Sequence, residues 1–286
     1  MYQESRIADF FTTEVPNFAA SLATDTDYGW FVHALFVLFV FILVVKEMTH
    51  FVRVGADTMR IVSMVVLVFV VLLFLESFTF LTSMAWEASV GLREAVQNAA
   101  TGEPSSLALG DYLDRSVNSL ETEDISIWDS VVDWLAALMF SFITMILKAV
   151  IWVGSQWALL GYSFCVIVGP LFIPLLLLET TRPMFNGFLQ LFFGFLIYNF
   201  FVGVVLSLVV LFFKYVIYGV PATDWSISGI ALTLSECVDM AVYLLLFVLL
   251  TLSITTLSST VAGAGVSATQ GAAKLAMMTL RMRLGR

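Results

Sequence analysis

The chain has 286 residues, 60% hydrophobic and 12% charged, with a formal net charge of −9 at pH 7. A mean hydropathy of +0.98 excludes a soluble globular domain. The acidic balance belongs to the loops, and it argues against a phosphate-binding surface there.

At the start, Ile7, Phe10, Phe11, Val15, Phe18 and Leu22 recur near helical spacing, with Glu4, Asp9 and Glu14 elsewhere. Residues 1–27 therefore read as an amphipathic segment at an interface or against a partner, and the acidic polar face favours a protein partner. Pro16 is expected to break it. No basic n-region precedes a short apolar core, so the first membrane helix is expected to be retained.

A helix of about 20 apolar residues crosses the hydrocarbon core. Residues 28–45 carry no charge; Glu76 is the sole charge between Arg60 and Glu87, and Lys148 the sole charge between Asp133 and Glu179. Arg182 to Lys214 and Asp239 to Lys274 enclose two more uncharged runs. These runs are continuous, as in Phe36 to Val45, rather than alternating, which excludes a β-barrel. The fold class is all-α: a polytopic transmembrane helical protein with five to seven membrane segments and one acidic extramembrane helical segment. Expected spans are 28–45, 61–83, 132–153, 157–178, 188–213 and 238–258. Transmembrane helices 1 and 2 thus fill 28–83, and an acidic extracytoplasmic, periplasmic segment fills 84–131. Helices 3 to 6 fill 132–258, and a small-residue basic tail fills 259–286. Within the acidic segment, Thr101 to Ser106 reads as a turn between two short helices.

Orientation follows lysine and arginine. Lys46, Arg53 and Arg60 favour a cytoplasmic first link, hence a periplasmic N-terminus, while Lys274, Arg281, Arg283 and Arg286 also favour the cytoplasm for the tail. Six full crossings cannot satisfy both ends. Either the stretch around Pro170 is re-entrant, or Ser258 to Leu280 enters the membrane again. On this orientation Trp30, Trp86, Trp128 and Trp134 form one aromatic belt, and Trp152 and Trp157 the opposite one.

Charged groups at membrane depth are costly and therefore candidate functional groups. Glu76 either lines a polar passage, pairing with Lys148, or is an interfacial carboxylate; Lys148 is read as snorkelling to the headgroups. Glu179 and Arg182 either close a turn as an ion pair, or Arg182 contacts a neighbouring subunit or a lipid phosphate. Glu236 and Asp239, three apart, either share a cation or match helix N-terminal charge preferences. His33 and His50 have no metal-spaced neighbours, Cys165 and Cys237 read as small apolar fillers, and no phosphate loop or hydrolase motif is present. No catalytic residue, metal site or cofactor is expected. Gly154, Gly161 and Gly169, then Gly187, Gly194 and Gly203, recur at one-face spacing as seams for close helix approach.

The stretch from Val168 to Phe188 carries the most information. An apolar helix is interrupted by Gly169, Pro170 and Pro174, ends in the turn holding Glu179, Thr181 and Arg182, and restarts at Gly187 and Phe188. Backbone groups freed by proline at membrane depth need protein neighbours or a cavity. The run Gly169-Pro-Leu-Phe-Ile-Pro-Leu-Leu-Leu-Leu178, the pair Thr181-Arg182, and Phe185 with Asn186-Gly187-Phe188 resemble the signature of the TrbL/VirB-type polytopic inner-membrane subunit of type IV secretion and conjugation systems. The family more often has Trp where this chain has Phe188. Strong matching covers about twenty residues, with a looser likeness along the whole chain.

The resemblance implies a non-enzymatic channel or platform subunit in the bacterial inner membrane. Such a subunit would form a homo-oligomer in membrane lipid, beside pilin-like, minor stalk and ATPase subunits. DNA or protein would be met as translocated substrate, and the pilus or stalk would be seeded there. The alternatives are a self-contained transporter or channel for a small solute, and an accessory structural membrane protein.

Overall fold

A computed structural model describes residues 10–23, 25–55, 58–101, 127–212 and 242–264. A π-helical turn, Phe10–Glu14, leads into α1, Val15–Ala23. α2 spans Thr26–Val54, α3 Thr58–Thr101, α4 Ile127–Phe172 and α5 Arg182–Phe212. A 3-10 turn, Ile173–Leu177, follows α4, and α6 is Val242–Ala264. Among the described residues, five helices, α2 to α6, are long and apolar enough to cross a membrane. The chain is an all-α polytopic membrane protein.

Three elements differ from expectation, each for a local reason. Pro16 opens α1 instead of breaking a helix, because a first-turn residue needs no intrahelical N–H bond. α3 runs on to Thr101 rather than stopping near 83; no proline intervenes, and Gly91 alone does not end a helix. The expected spans 132–153 and 157–178 are one helix, which enters the 3-10 turn without a break at 154. At 1.5 Å per residue its 46 residues reach about 69 Å, well beyond the hydrocarbon thickness of about 30 Å. Trp152 and Trp157 therefore lie within a helix and do not flank a membrane-surface turn. The turn expected at Thr101 to Ser106, Glu236, Cys237, Asp239 and the tail beyond 264 fall largely or wholly outside the described residues.

The chain divides into two compact units. The first takes the described residues of Met1–Glu87, Leu159–Leu196 and Ser259–Arg286, and the second those of Ala88–Ala158 and Ile197–Ser258.

In the first unit the core follows helical periodicity. Val32, Phe36 and Leu43 of α2 meet Val71, Leu75 and Phe78 of α3, together with Phe185, Phe188, Phe192 and Leu196 of α5. Those intervals of three, four and seven residues put each set on one face, while Val37, Leu38, Phe41, Phe69 and Leu73 remain exposed, as a lipid-facing surface requires. Asp25 caps α2 by accepting from the Asp27 and Tyr28 amides at 2.9 and 3.0 Å. Gly55, at φ 98°, ends it; that left-handed backbone favours glycine. The α2–α3 hairpin is clamped by Arg60, whose Nε and Nη2 donate to the two Glu47 carboxylate oxygens at 2.6 and 3.0 Å.

Charged groups gather at one end of this unit and aromatic groups nearer the other. Lys46 Nζ lies 3.6 Å from Glu179 Oε2, beside the Glu47–Arg60 clamp. Toward the opposite end, Trp86 stacks on Tyr162 at 4.4 Å, and the Tyr28 hydroxyl donates to the Ile167 carbonyl. From Tyr28 to Lys46 the helix rises about 27 Å, close to the hydrocarbon thickness.

The Lys46–Glu179 contact brings the end of α2 and the turn before α5 together within this unit.

Candidate functional site

The turn between α4 and α5 is built from an orderly failure of helical hydrogen bonding. Pro170, inside the last turn of α4, has no N–H for the Val166 carbonyl, and Pro174 has none for that of Pro170. The helix tightens into the 3-10 turn and stops at Leu178, whose backbone is extended. The carbonyls left over at the C-terminal end are taken up by the next two residues. The Thr181 hydroxyl donates to the Leu175 and Leu178 carbonyls at 2.6 and 3.2 Å. Arg182 Nε donates to the Leu176 carbonyl at 3.2 Å, and the backbone amides of Thr181 and Arg182 both reach Leu178 O at 3.1 Å.

Glu179 and Arg182 do not close this turn as an ion pair. Glu179 is paired with Lys46 of α2, while Arg182 caps the turn and makes no further hydrogen bond through Nη1 or Nη2 among the described residues. A cation is favoured at this place because the C-terminal end of a helix carries partial negative charge.

Gly169 and Phe188 are brought into contact. A Cβ at Gly169 would overlap the Phe78 ring and lie 2.9 Å from Phe188 Cζ. Phe188, only 4% exposed, stacks on Phe172 at 5.3 Å and 17° and neighbours Phe78 and Phe185. Phe188 is thus a core ring that fills the space opened by glycine. Gly187 differs: it faces open space, with nothing within 4 Å of an added Cβ. Among the expected seams, Gly161 packs under the Phe195 ring, and Gly203 would place a Cβ 2.5 Å from Arg93 Cγ. Gly194 approaches only Ala262, at 4.0 Å.

Of the intramembrane charges, Glu76 meets His33, with Oε1 3.3 Å from Nε2. Lys148 is exposed on α4.

The second unit holds a polar cluster that joins residues expected in the acidic extramembrane helical segment, Ser89 and Arg93, to Ser155 and Asn199 of other helices. Arg93 of α3 donates through Nη1 to Asn199 Oδ1 at 3.0 Å and through Nη2 to Ser155 Oγ of α4 at 3.3 Å. Asn199 Nδ2 donates to Ser89 Oγ at 3.1 Å. Asn199 of α5 is 1% exposed, Ser89 6% and Gln97 4%, and among the described residues Arg93 Nε is buried without a partner. One guanidinium thus ties three helices together through neutral oxygens. Two signals could have found it: Ser89, Arg93 and Gln97 recur every four residues, and Asn199 stands in an otherwise apolar helix segment.

The comparisons with known proteins agree with the membrane architecture. No curated protein matches the chain. The family model described as TrbL/VirB6 plasmid conjugal transfer protein matches residues 36–254, which includes all of α3, α4 and α5 and the proline-broken turn. The chain therefore belongs to the TrbL/VirB6 family of conjugal transfer proteins, as a multi-pass inner-membrane protein of type IV secretion.

Proposed function

We propose that this chain is a non-enzymatic platform or channel subunit of a type IV secretion machine, helping substrate cross the inner membrane and supporting pilus or stalk assembly. The observation that carries this reading is the family match across residues 36–254. Family membership implies association with other secretion components. Pilin-like, minor stalk and ATPase subunits, and further copies of this chain, are the partners we assign. DNA or protein is met as passing cargo.

The turn made by Gly169, Pro170, Pro174, Glu179, Arg182, Gly187 and Phe188 is the assembly element in this reading. Its inner part is closed: Gly169 and Phe188 are packed and the freed carbonyls are capped. Its outer part is available for contact: the Arg182 Nη groups make no bond among the described residues, and Gly187 faces open space. With five crossings and a cytoplasmic Lys46–Arg60 link, the N-terminus is periplasmic and the segment after α6 returns to the cytoplasm. That assignment satisfies the basic residues at both ends.

The test is a transfer assay in cells with chromosomal Arg182→Ala, paired with quantification of the protein in membranes and of co-purifying secretion subunits. Lost transfer and lost co-purification with normal membrane abundance support the reading. Normal transfer removes Arg182 from it.

A further inference from the structure

α2 holds one imidazole between Tyr28 and Lys46, at His33, and α3 holds one charged group between Arg60 and Glu87, at Glu76. The hairpin brings these two together, with His33 Nε2 3.3 Å from Glu76 Oε1. The other ring nitrogen, Nδ1, lies 2.8 Å from the Gly29 carbonyl oxygen. A carbonyl can only accept, so Nδ1 carries a hydrogen. A ring with that single proton would aim the Nε2 lone pair at a carboxylate, which is repulsive. The contact is attractive only when a further proton lies between them, as imidazolium with carboxylate or as imidazole with carboxylic acid.

Among the described residues of this unit, α1, 159–172 of α4, 259–264 of α6 and the 3-10 turn carry no charge. The part of α5 in the unit carries only Arg182, in the turn beside Glu179 and Lys46, and the charges on α2 and α3 toward the pair's end are Asp27 and Glu87, both acidic. The hydroxyl of Tyr28 is directed to the Ile167 carbonyl. Both side chains of the pair are more than half exposed, at 55% and 62%, on helices that cross the membrane. An isolated carboxylate there is disfavoured, whereas either proton-loaded form has no net charge.

We propose that His33 and Glu76 form a proton-binding site in the membrane wall of the first unit, one proton being shared between Nε2 and Oε1. Nothing in the family assignment supplies this site. It makes the lateral face formed by α2 and α3 neutral when loaded and negative when empty.

His50 provides an internal control. Its Nε2 lies 2.9 Å from Arg60 Nη1; a guanidinium can only donate, so this nitrogen accepts and carries no proton. The experiment uses the full chain in lipid nanodiscs near neutral pH. Nitrogen NMR of the labelled histidines is assigned with His33→Gln and His50→Gln, and infrared spectra of the carboxyl region are assigned with Glu76→Gln. The expected result is one bound proton, seen either as a second N–H on the His33 ring or as a Glu76 carboxylic acid band, with His50 singly protonated. In Glu76→Gln the second His33 N–H, or the acid band, is lost. A singly protonated His33 beside an ionised Glu76 in the unmodified protein overturns the proposal. So does a His33 second N–H that persists in Glu76→Gln. The unmodified protein carries the first readout, so misfolding of a variant does not decide it.

Discussion

Arg93 and Asn199 are separated by 106 positions in sequence and joined by a 3.0 Å hydrogen bond at a site where Asn199 is almost wholly buried. A buried guanidinium bonded to neutral oxygens is held by geometry, since a hydrogen bond to a charged group contributes about 1.5–3 kcal/mol only while both partners remain. Arg93→Ala should therefore destabilise the protein by about 2–4 kcal/mol, because it strands Asn199 Oδ1. The double variant Arg93→Met with Asn199→Leu should be markedly less harmful than the sum of its single changes. Thermal unfolding in detergent measures the cycle, and strict additivity would deny the coupling.

Gly169 and Gly187 flank the same turn and should respond oppositely to alanine. At Gly169 the added methyl overlaps packed rings, and overpacking of this kind typically costs about 1–3 kcal/mol. At Gly187 it enters open space in the first turns of α5, where alanine should stabilise by up to about 1 kcal/mol. Melting temperatures of the two variants, compared in one detergent, test the contrast.

The Lys46–Glu179 pair predicts that the first link and the α4–α5 turn share a membrane face. Single cysteines at Thr49 and Glu179, both exposed, should react with an impermeant maleimide in inverted membrane vesicles and be protected in intact spheroplasts. Labelling from opposite sides would refute a single crossing by α4.

Arg182 both caps the Leu176 carbonyl and, among the described residues, makes no hydrogen bond through its Nη groups. Arg182→Ala should lower transfer by at least about tenfold, equivalent to about 1.4 kcal/mol at an assembly contact, without loss of insertion. Arg182→Lys keeps the charge but loses the guanidinium fork, and transfer should fall between the two. Mating frequency, normalised to protein in the membrane, is the measurement.

What the sequence determined by itself was the solvent of each segment. Long uncharged runs leave a helix buried in lipid as the only physical solution, and that reasoning holds without any tertiary contact. The special character of Gly169, Pro170 and Pro174 was equally legible, because a proline at membrane depth demands an explanation locally.

Pairing was decided only by the tertiary structure. His33 and Glu76 read as two separate oddities until the hairpin register set them 3.3 Å apart. Glu179 looked like the partner of Arg182 by spacing and is paired with Lys46 instead. Arg93 read as part of the acidic extramembrane helical segment; its four-residue spacing with Ser89 and Gln97 marks a helix face, but not that Asn199 of α5 meets it. Even the number of crossings was hidden inside 132–178, where the absence of a charge or proline near 154 is compatible with one long helix or two short ones. Helix formation is local and is written in composition and spacing; which faces meet depends on rotation and register between helices distant in the chain, and apolar runs of nearly uniform character carry little record of either.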